Sequence, residues 1–197
     1  MVSNKKKYFV QFRDYLNKFA IVKDDSFEKL CSIVNFRKVN KGEPILYEGQ
    51  TAKKLYFVCE GLLISLYVKD DGSTHIKNFF LEGNFAGSVV SSLLYEPSSF
   101  GIQSLEDGVI MELDFKKYKQ IIYKHDDLKI FYISYLEKNW VIENEKRQIA
   151  FATQTAMERY QTFLEEYPSL NKRVPQLHIA SYLGVTPTQL SRIRKNL

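Results

Sequence analysis

Cysteine is scarce: Cys31 and Cys59 are the only two in 197 residues, too few for a disulfide scaffold or a Cys-rich metal site. Histidine is nearly as rare, with His75, His125 and His178 alone and no His-x-His pair. A cupin-like metalloenzyme needs two or three histidines and a carboxylate converging on one ion, and that ligand set is missing. No apolar run approaches the roughly 18–20 residues of a membrane span. The basic start Met1–Lys7 is not followed by an apolar h-region, because Arg13, Asp14, Asn17 and Lys18 interrupt it. The expectation is a cytoplasmic chain without a secretory signal or a membrane partner. No catalytic residue, no metal and no cofactor is expected.

What is present is a 45% apolar, 26% charged chain, long enough to bury a real core in one or two domains. Its charge is unevenly placed. The net charge is +5, and residues 171–197 hold Lys172, Arg173, Arg192, Arg194 and Lys195 with no Asp or Glu, so the rest balances to zero. A neutral body with a basic end points to a polyanion partner; the alternative is a solvated tail.

From Phe36 to Leu113 the pattern is β. Short apolar runs such as Leu55-Tyr56-Phe57-Val58-Cys59 alternate with glycine-marked turns, and Asp70-Asp71-Gly72-Ser73 between two such runs is a hairpin signal. Six to eight strands at this spacing indicate a sandwich or barrel. Two helices are expected before it, one capped by Asp24-Asp25-Ser26. After Leu113 the chain reads as helix, with Asp114 as a cap and an uninterrupted stretch from Asp127 to Thr153. Leu128, Tyr135, Ile142 and Ile149 recur along it every seven residues, the geometry of a seam between two helices. They are the expected homodimer interface; the alternative is an amphipathic helix packed on its own β domain through Ile133, Leu136 and Trp140.

The C-terminal segment carries the sharpest motif. Thr155 and Glu158 form a capping box before one helix. Gln176–Leu183 is a short helix ended by Gly184, and Thr186-Pro187-Thr188-Gln189 supplies an N-cap, a first-turn proline and a second capping box. Helix, glycine turn, helix is the helix-turn-helix plan. Ala180 is small where the helices cross, and Ile179, Leu183, Val185, Leu190 and Ile193 make the buried set. Thr188, Gln189, Ser191, Arg192 and Lys195 remain for the outside, with Thr188, Arg192 and Lys195 on one stripe. Such a helix fits the major groove of double-stranded DNA, where an Arg can read guanine. Thr186 and Gln189, at the helix start, suit phosphate positioning.

In this order, Lys41-Gly42-Glu43, Leu55-Tyr56-Phe57-Val58-Cys59-Glu60-Gly61, Glu82-Gly83-Asn84-Phe85-Ala86-Gly87-Ser88, the long helix and Ile179–Thr186 resemble the cyclic-AMP receptor protein / fumarate-nitrate regulator (Crp/Fnr) family of bacterial transcription regulators. The resemblance implies an α+β protein: a β-roll (a cyclic-nucleotide-binding-like jelly roll) with N-terminal helices over 1–126, a dimerisation helix over 127–153 and a helix-turn-helix domain over 154–197. It also implies RNA polymerase and a small-molecule effector as partners, with Phe85, Gly87, Ser88, Ser98 and Ser99 in the ligand cassette.

The departures are specific. Ser88 stands where nucleotide-binding members carry the ribose-binding Glu, and Ser98 where they carry the phosphate-binding Arg. No Lys or Arg lies between Ser88 and Phe100, and a buried phosphate without a cation costs several kcal/mol. The expected effector is therefore not cyclic AMP, but another molecule or none. An iron–sulfur centre needs about four thiolates, and a thiol sensor role for Cys31 or Cys59 has no basic cluster beside it except Lys29 and Lys53-Lys54. The family's wing after the recognition helix is not in a sequence that stops at Leu197, so either it is absent or the chain is shortened. Only Arg192 is kept from the family's base-reading motif, so the operator does not carry over. The competing reading is a cyclic-nucleotide-binding-like interaction module without specific DNA binding.

Overall fold

A computed structural model describes residues 2, 4–69 and 72–197. The chain begins with α1 (Lys5–Asn17) and α2 (Asp24–Cys31). Eight strands follow, β1 (Val34–Val39), β2 (Pro44–Leu46), β3 (Lys54–Glu60), β4 (Leu63–Val68), β5 (Thr74–Phe80), β6 (Phe85–Ala86), β7 (Gly101–Ser104) and β8 (Gly108–Asp114), with the short helix α3 (Val89–Leu94) between β6 and β7. Helices complete the chain: α4 (Phe115–Lys124), α5 (Asp126–Leu136), a π-helical turn (Glu137–Ile142), α6 (Glu143–Thr153), α7 (Ala156–Glu166), α8 (Leu170–Arg173), α9 (Gln176–Leu183) and α10 (Pro187–Lys195). The strands form two antiparallel sheets of order β1-β8-β3-β6 and β2-β7-β4-β5, the expected β-roll. The Asp70-Asp71 half of the expected hairpin turn lies outside the described residues, while Gly72 has the positive φ of +77° that such a turn needs.

The run Leu55–Cys59 is continuously apolar because β3 is buried on both faces. Leu55, Phe57 and Cys59 face the helices, packing with Phe12, Leu16, Tyr118 and Phe131. Tyr56 and Val58 face the other sheet, among Leu46, Leu63, Phe100 and Ile110. The outer face of the second sheet is covered as well: Leu62, Ile64, Ile76 and Phe79 pack on Tyr160, Phe163, Leu170 and Ile179 of the C-terminal helices. Sequence order thus becomes layer order, with helices, sheet, sheet and helices stacked one on the next.

Two local expectations need correction. Ser26 does not cap α2, whose N-cap is Lys23. Its buried hydroxyl instead donates to Asp127 Oδ1 at 2.9 Å and lies 3.2 Å from His125 Nδ1. The seven-residue repeat in the long helix also fails, because the helix is not uniform. An i→i+5 turn adds one residue to the ladder, which rotates everything after it by roughly 100°. Leu128 is 0% exposed in the β-roll's own core, and the Tyr135 ring packs on Phe19, Phe85 and Phe131 at 5.6–6.0 Å. Ile142 and Ile149, past the π turn, are 48% and 55% exposed. They share a face with the exposed Ile130, Ile133 and Val141, not with Leu128 and Tyr135.

Gly108 has no side chain because none fits: a Cβ there would lie 2.2 Å from the Glu60 carbonyl oxygen. Gly108→Ala is expected to destabilise the fold by about 1–3 kcal/mol through this clash, read as a fall in the urea midpoint at constant m-value. Gly42, at φ +81° in open space, should cost only about 1 kcal/mol on replacement by Ala.

Candidate functional site

The helix-turn-helix forms as its sequence indicates. Gly184 takes the left-handed conformation at φ +70° and closes α9. The Thr186 hydroxyl accepts from the Gln189 N–H at 3.1 Å, and the Thr186 N–H donates to Gln189 Oε1 at 2.8 Å. Leu190 is fully buried against Ile179, Ala180 and Leu183, with Val185 and Ile193 beside them. This packing turns Thr188, Ser191, Arg192 and Lys195 to solvent. Gln189 is also exposed, yet its amide oxygen is committed to the cap, as is the Thr186 hydroxyl. Among the described residues neither Arg192 nor Lys195 is in an ion pair. Arg173, from the same basic segment, is not free: its guanidinium holds Glu82 at 2.7 and 3.0 Å and Glu106 at 2.6 and 2.9 Å.

The ligand cassette is only partly brought together. Ser88 and Ser98 meet, with Oγ atoms 2.9 Å apart, and Ser98 Oγ lies 2.7 Å from the Phe100 carbonyl oxygen. Both residues are buried. Two further serines, Ser91 and Ser92, complete a closed knot: the Ala52 N–H donates to Ser91 Oγ and the Ser92 hydroxyl donates to the Ala52 carbonyl, each at 2.9 Å. Sequence reading missed these two; their small size at the buried positions of a short helix was the available signal. Phe85 does not face the knot but the helix-side core, packed on Phe12, Tyr15 and Phe57. Ser99 is exposed, and a Cβ at Gly87 would lie 3.1 Å from Leu55 Cδ1.

The two cysteines carry no accessible thiolate. Burial is the largest cause raising both, pushing Cys59 up to about 12 and Cys31 to about 11. His75 stacks on its cross-strand neighbour Tyr67 at 5.8 Å. Among the described residues no group of three His, Cys, Asp or Glu is placed to hold a metal, and no helix is long and apolar enough to cross a membrane.

The helix-turn-helix domain is docked on the roll. β5 is an edge strand, and Ser181 of α9 serves it as a neighbouring strand would: Ser181 Oγ accepts from the Ile76 N–H and donates to the Thr74 carbonyl, both at 2.9 Å. Tyr182 packs on Phe79 at 5.1 Å, and Arg147 of the long helix donates to Asn78 Oδ1 at 2.6 Å.

These features define a class: an antiparallel β-roll of the cyclic-nucleotide-binding type, coupled through a long helix to a helix-turn-helix domain. Residues 36–125 match the cyclic nucleotide-binding domain family. The chain is 23% identical over 127 residues to the cAMP-activated global transcriptional regulator CRP of Pasteurella multocida, covering 64% of this chain and 60% of that protein. It is 24% identical over 185 residues to the fumarate and nitrate reduction regulatory protein of Yersinia pestis, covering 86% of this chain and 72% of the relative. The structure of FixK2 from Bradyrhizobium japonicum superposes with a TM-score of 0.67 at 21% identity, over 84% of each chain. In sequence and fold the chain is similar to regulators of the Crp/Fnr type, and it spans about three fifths of the length of the CRP relatives it matches.

Burial alone would raise the Glu82 carboxyl, but hydrogen bonds from Arg173 and the Gly61 N–H outweigh it and hold its pKa below the ordinary glutamate value. A carboxylate depressed in the folded state stabilises above its unfolded pKa and loses that stabilisation as pH falls through the folded one. Docking of the helix-turn-helix domain should therefore loosen below about pH 4. Hydrogen exchange at the Ile76 amide reads this directly. Arg173→Met should speed it by at least about tenfold at neutral pH and remove most of its acid dependence.

Proposed function

We propose that this chain is a homodimeric, DNA-binding transcription regulator of the Crp/Fnr type whose roll lacks the determinants for cyclic AMP and answers to another effector or to none. The observation that carries the reading is the outer face of α10, which presents exposed Thr188, Ser191, Arg192 and Lys195 on a helix held from behind by Leu190. Arg192 reads a base edge in the major groove. Thr186 and Gln189 contribute by capping the N-terminus of α10, whose dipole favours phosphate, and Lys195 adds sequence-independent attraction. RNA polymerase is the downstream partner of such a regulator.

The closed serine knot supports the exclusion of cyclic AMP. Ser88 and Ser98 satisfy one another, and the cassette offers a cyclic phosphate no cation. Ser99 and Phe85 take no part. The dimer seam is the exposed stripe Ile130, Ile133, Val141, Ile142 and Ile149; of the four seam residues expected from sequence, Ile142 and Ile149 remain. A two-fold seam suits a palindromic site.

Selection of bound sequences from a random DNA pool tests the reading, and two variants test the docking. Arg192→Ala should cost about 1–3 kcal/mol and relax preference at one position per half-site. Lys195→Ala should weaken all sequences alike and lower the salt slope by roughly one unit per monomer. Equal weakening of selected and random DNA by Arg192→Ala would make Arg192 a phosphate contact, and no enrichment from the pool would leave a roll-based interaction module. Light scattering tests assembly: a dimer mass at micromolar concentration is expected, and Ile142→Glu should shift it to monomer by burying an unpaired charge at the seam.

A further inference from the structure

Arg159 is the only cation on α7 and is half-buried. Among the described residues it pairs with no carboxylate. Its N–H groups go to main-chain carbonyls instead: Nε and Nη2 both donate to Leu183 at 3.2 Å, and Nη1 donates to Gln154 at 2.7 Å. The guanidinium carbon also lies 5.2 Å from the centroid of the Phe151 ring. A planar fork of five N–H donors suits this division between two acceptors.

The acceptors are not arbitrary. Leu183 is the last residue of α9, and the final carbonyls of a helix have no partner within it. The turn serves two of them: the Val185 N–H donates to the Ala180 carbonyl at 3.0 Å and the Gly184 N–H to the Ser181 carbonyl at 3.2 Å, the Schellman arrangement. The Leu183 carbonyl takes the cation, where the helix dipole also favours positive charge. Gln154 is the extended residue at which α6 gives way to α7. Phe151, in the last turn of α6, closes the cluster, its Cε1 3.2 Å from where a Cβ on Gly184 would lie. One guanidinium thus ties the end of the long helix, the start of α7 and the turn that precedes α10.

We infer that Arg159 is a positioning residue for α10: it touches no DNA, but by clamping the Leu183 carbonyl it sets the direction in which the reading helix leaves its turn. Buried Leu190 fixes how deep α10 sits. The aim of its N-terminal end is set at Leu183-Gly184-Val185, immediately before the cap Thr186. With a rise of about 1.5 Å per residue, a swing of roughly 10° at that turn moves the Arg192 guanidinium by about 2 Å. A bidentate base contact is lost over such a distance, whereas attraction between Lys195 and a phosphate survives it. The clamp therefore governs selectivity more than total DNA affinity. The inference rests on the DNA-binding reading for this consequence but not for the clamp itself.

Two variants of the full chain separate the fork from the charge. Arg159→Met removes both, and Arg159→Lys, the milder change, keeps the charge without the planar fork. In each, the ratio of affinities for selected and random DNA should fall about tenfold. Affinity for random DNA should stay within about twofold, and its salt slope within about half a unit. Hydrogen exchange at the Gly184 and Val185 amides, measured without DNA, should quicken at least about tenfold in both variants. Wild-type selectivity in Arg159→Lys would overturn the proposal, because charge alone would then suffice. A lower melting temperature with selectivity unchanged would also overturn it, by reducing Arg159 to a helix cap. Equal weakening of selected and random DNA with a lower salt slope would make Arg159 a phosphate contact and overturn it too. If the wild-type chain binds no DNA, the regulator reading fails, and exchange alone decides the clamp: faster turn amides uphold it, and unchanged ones overturn it.

Discussion

The structure depends on the stretches Leu55–Cys59 of β3 and Leu63–Ser65 of β4 being buried on both faces, which obliges both outer surfaces of the roll to be covered by other parts of the chain. Along β3, Leu55, Phe57 and Cys59 need the N-terminal helices and α5, while Tyr56 and Val58 need the opposing sheet. On the other side, Leu62, Ile64, Ile76 and Phe79 need the C-terminal helices. At about 25 cal/mol per Å² of apolar surface, this burial outweighs any single polar contact across the domain boundary. The helix-turn-helix domain is thus a layer of the core.

Features set by neighbours in sequence were legible in the sequence. The capping boxes Thr155–Glu158 and Thr186–Gln189, the left-handed Gly184 and the continuous β3 run each depend on residues within about one turn or strand. The basic outer face of α10 followed from subtracting its buried set. Features set by contacts between distant segments were not legible. Arg173 counted as part of a basic end, but its partners Glu82 and Glu106 lie 91 and 67 residues away. The seam failed for a subtler reason: a seven-residue repeat presumes a constant helical pitch, and one π turn shifts its phase.

The cassette lies between these cases. Ser88 and Ser98 at the positions where the resemblance places a Glu and an Arg were plain in sequence, and the expectation that cyclic AMP does not bind followed from charge alone. That Ser88 and Ser98 bond one another, and that Ser91 and Ser92 bond the Ala52 backbone, needed coordinates. Four small polar side chains, Ser88, Ser91, Ser92 and Ser98, tie the segment between β6 and β7 to itself and to Ala52 by hydrogen bonds.

The hydroxyl of Ser181 on the outer edge of β5 has a consequence for the sensor half taken by itself. A chain cut before α7 would present an uncovered strand edge, with the Ile76 N–H and Thr74 carbonyl lacking the partner they have here, beside a bare apolar face of Ile64 and Phe79. Such an edge is a template for strand pairing between molecules. The isolated roll would self-associate through β5, so the helix-turn-helix domain also acts as the roll's protection against aggregation.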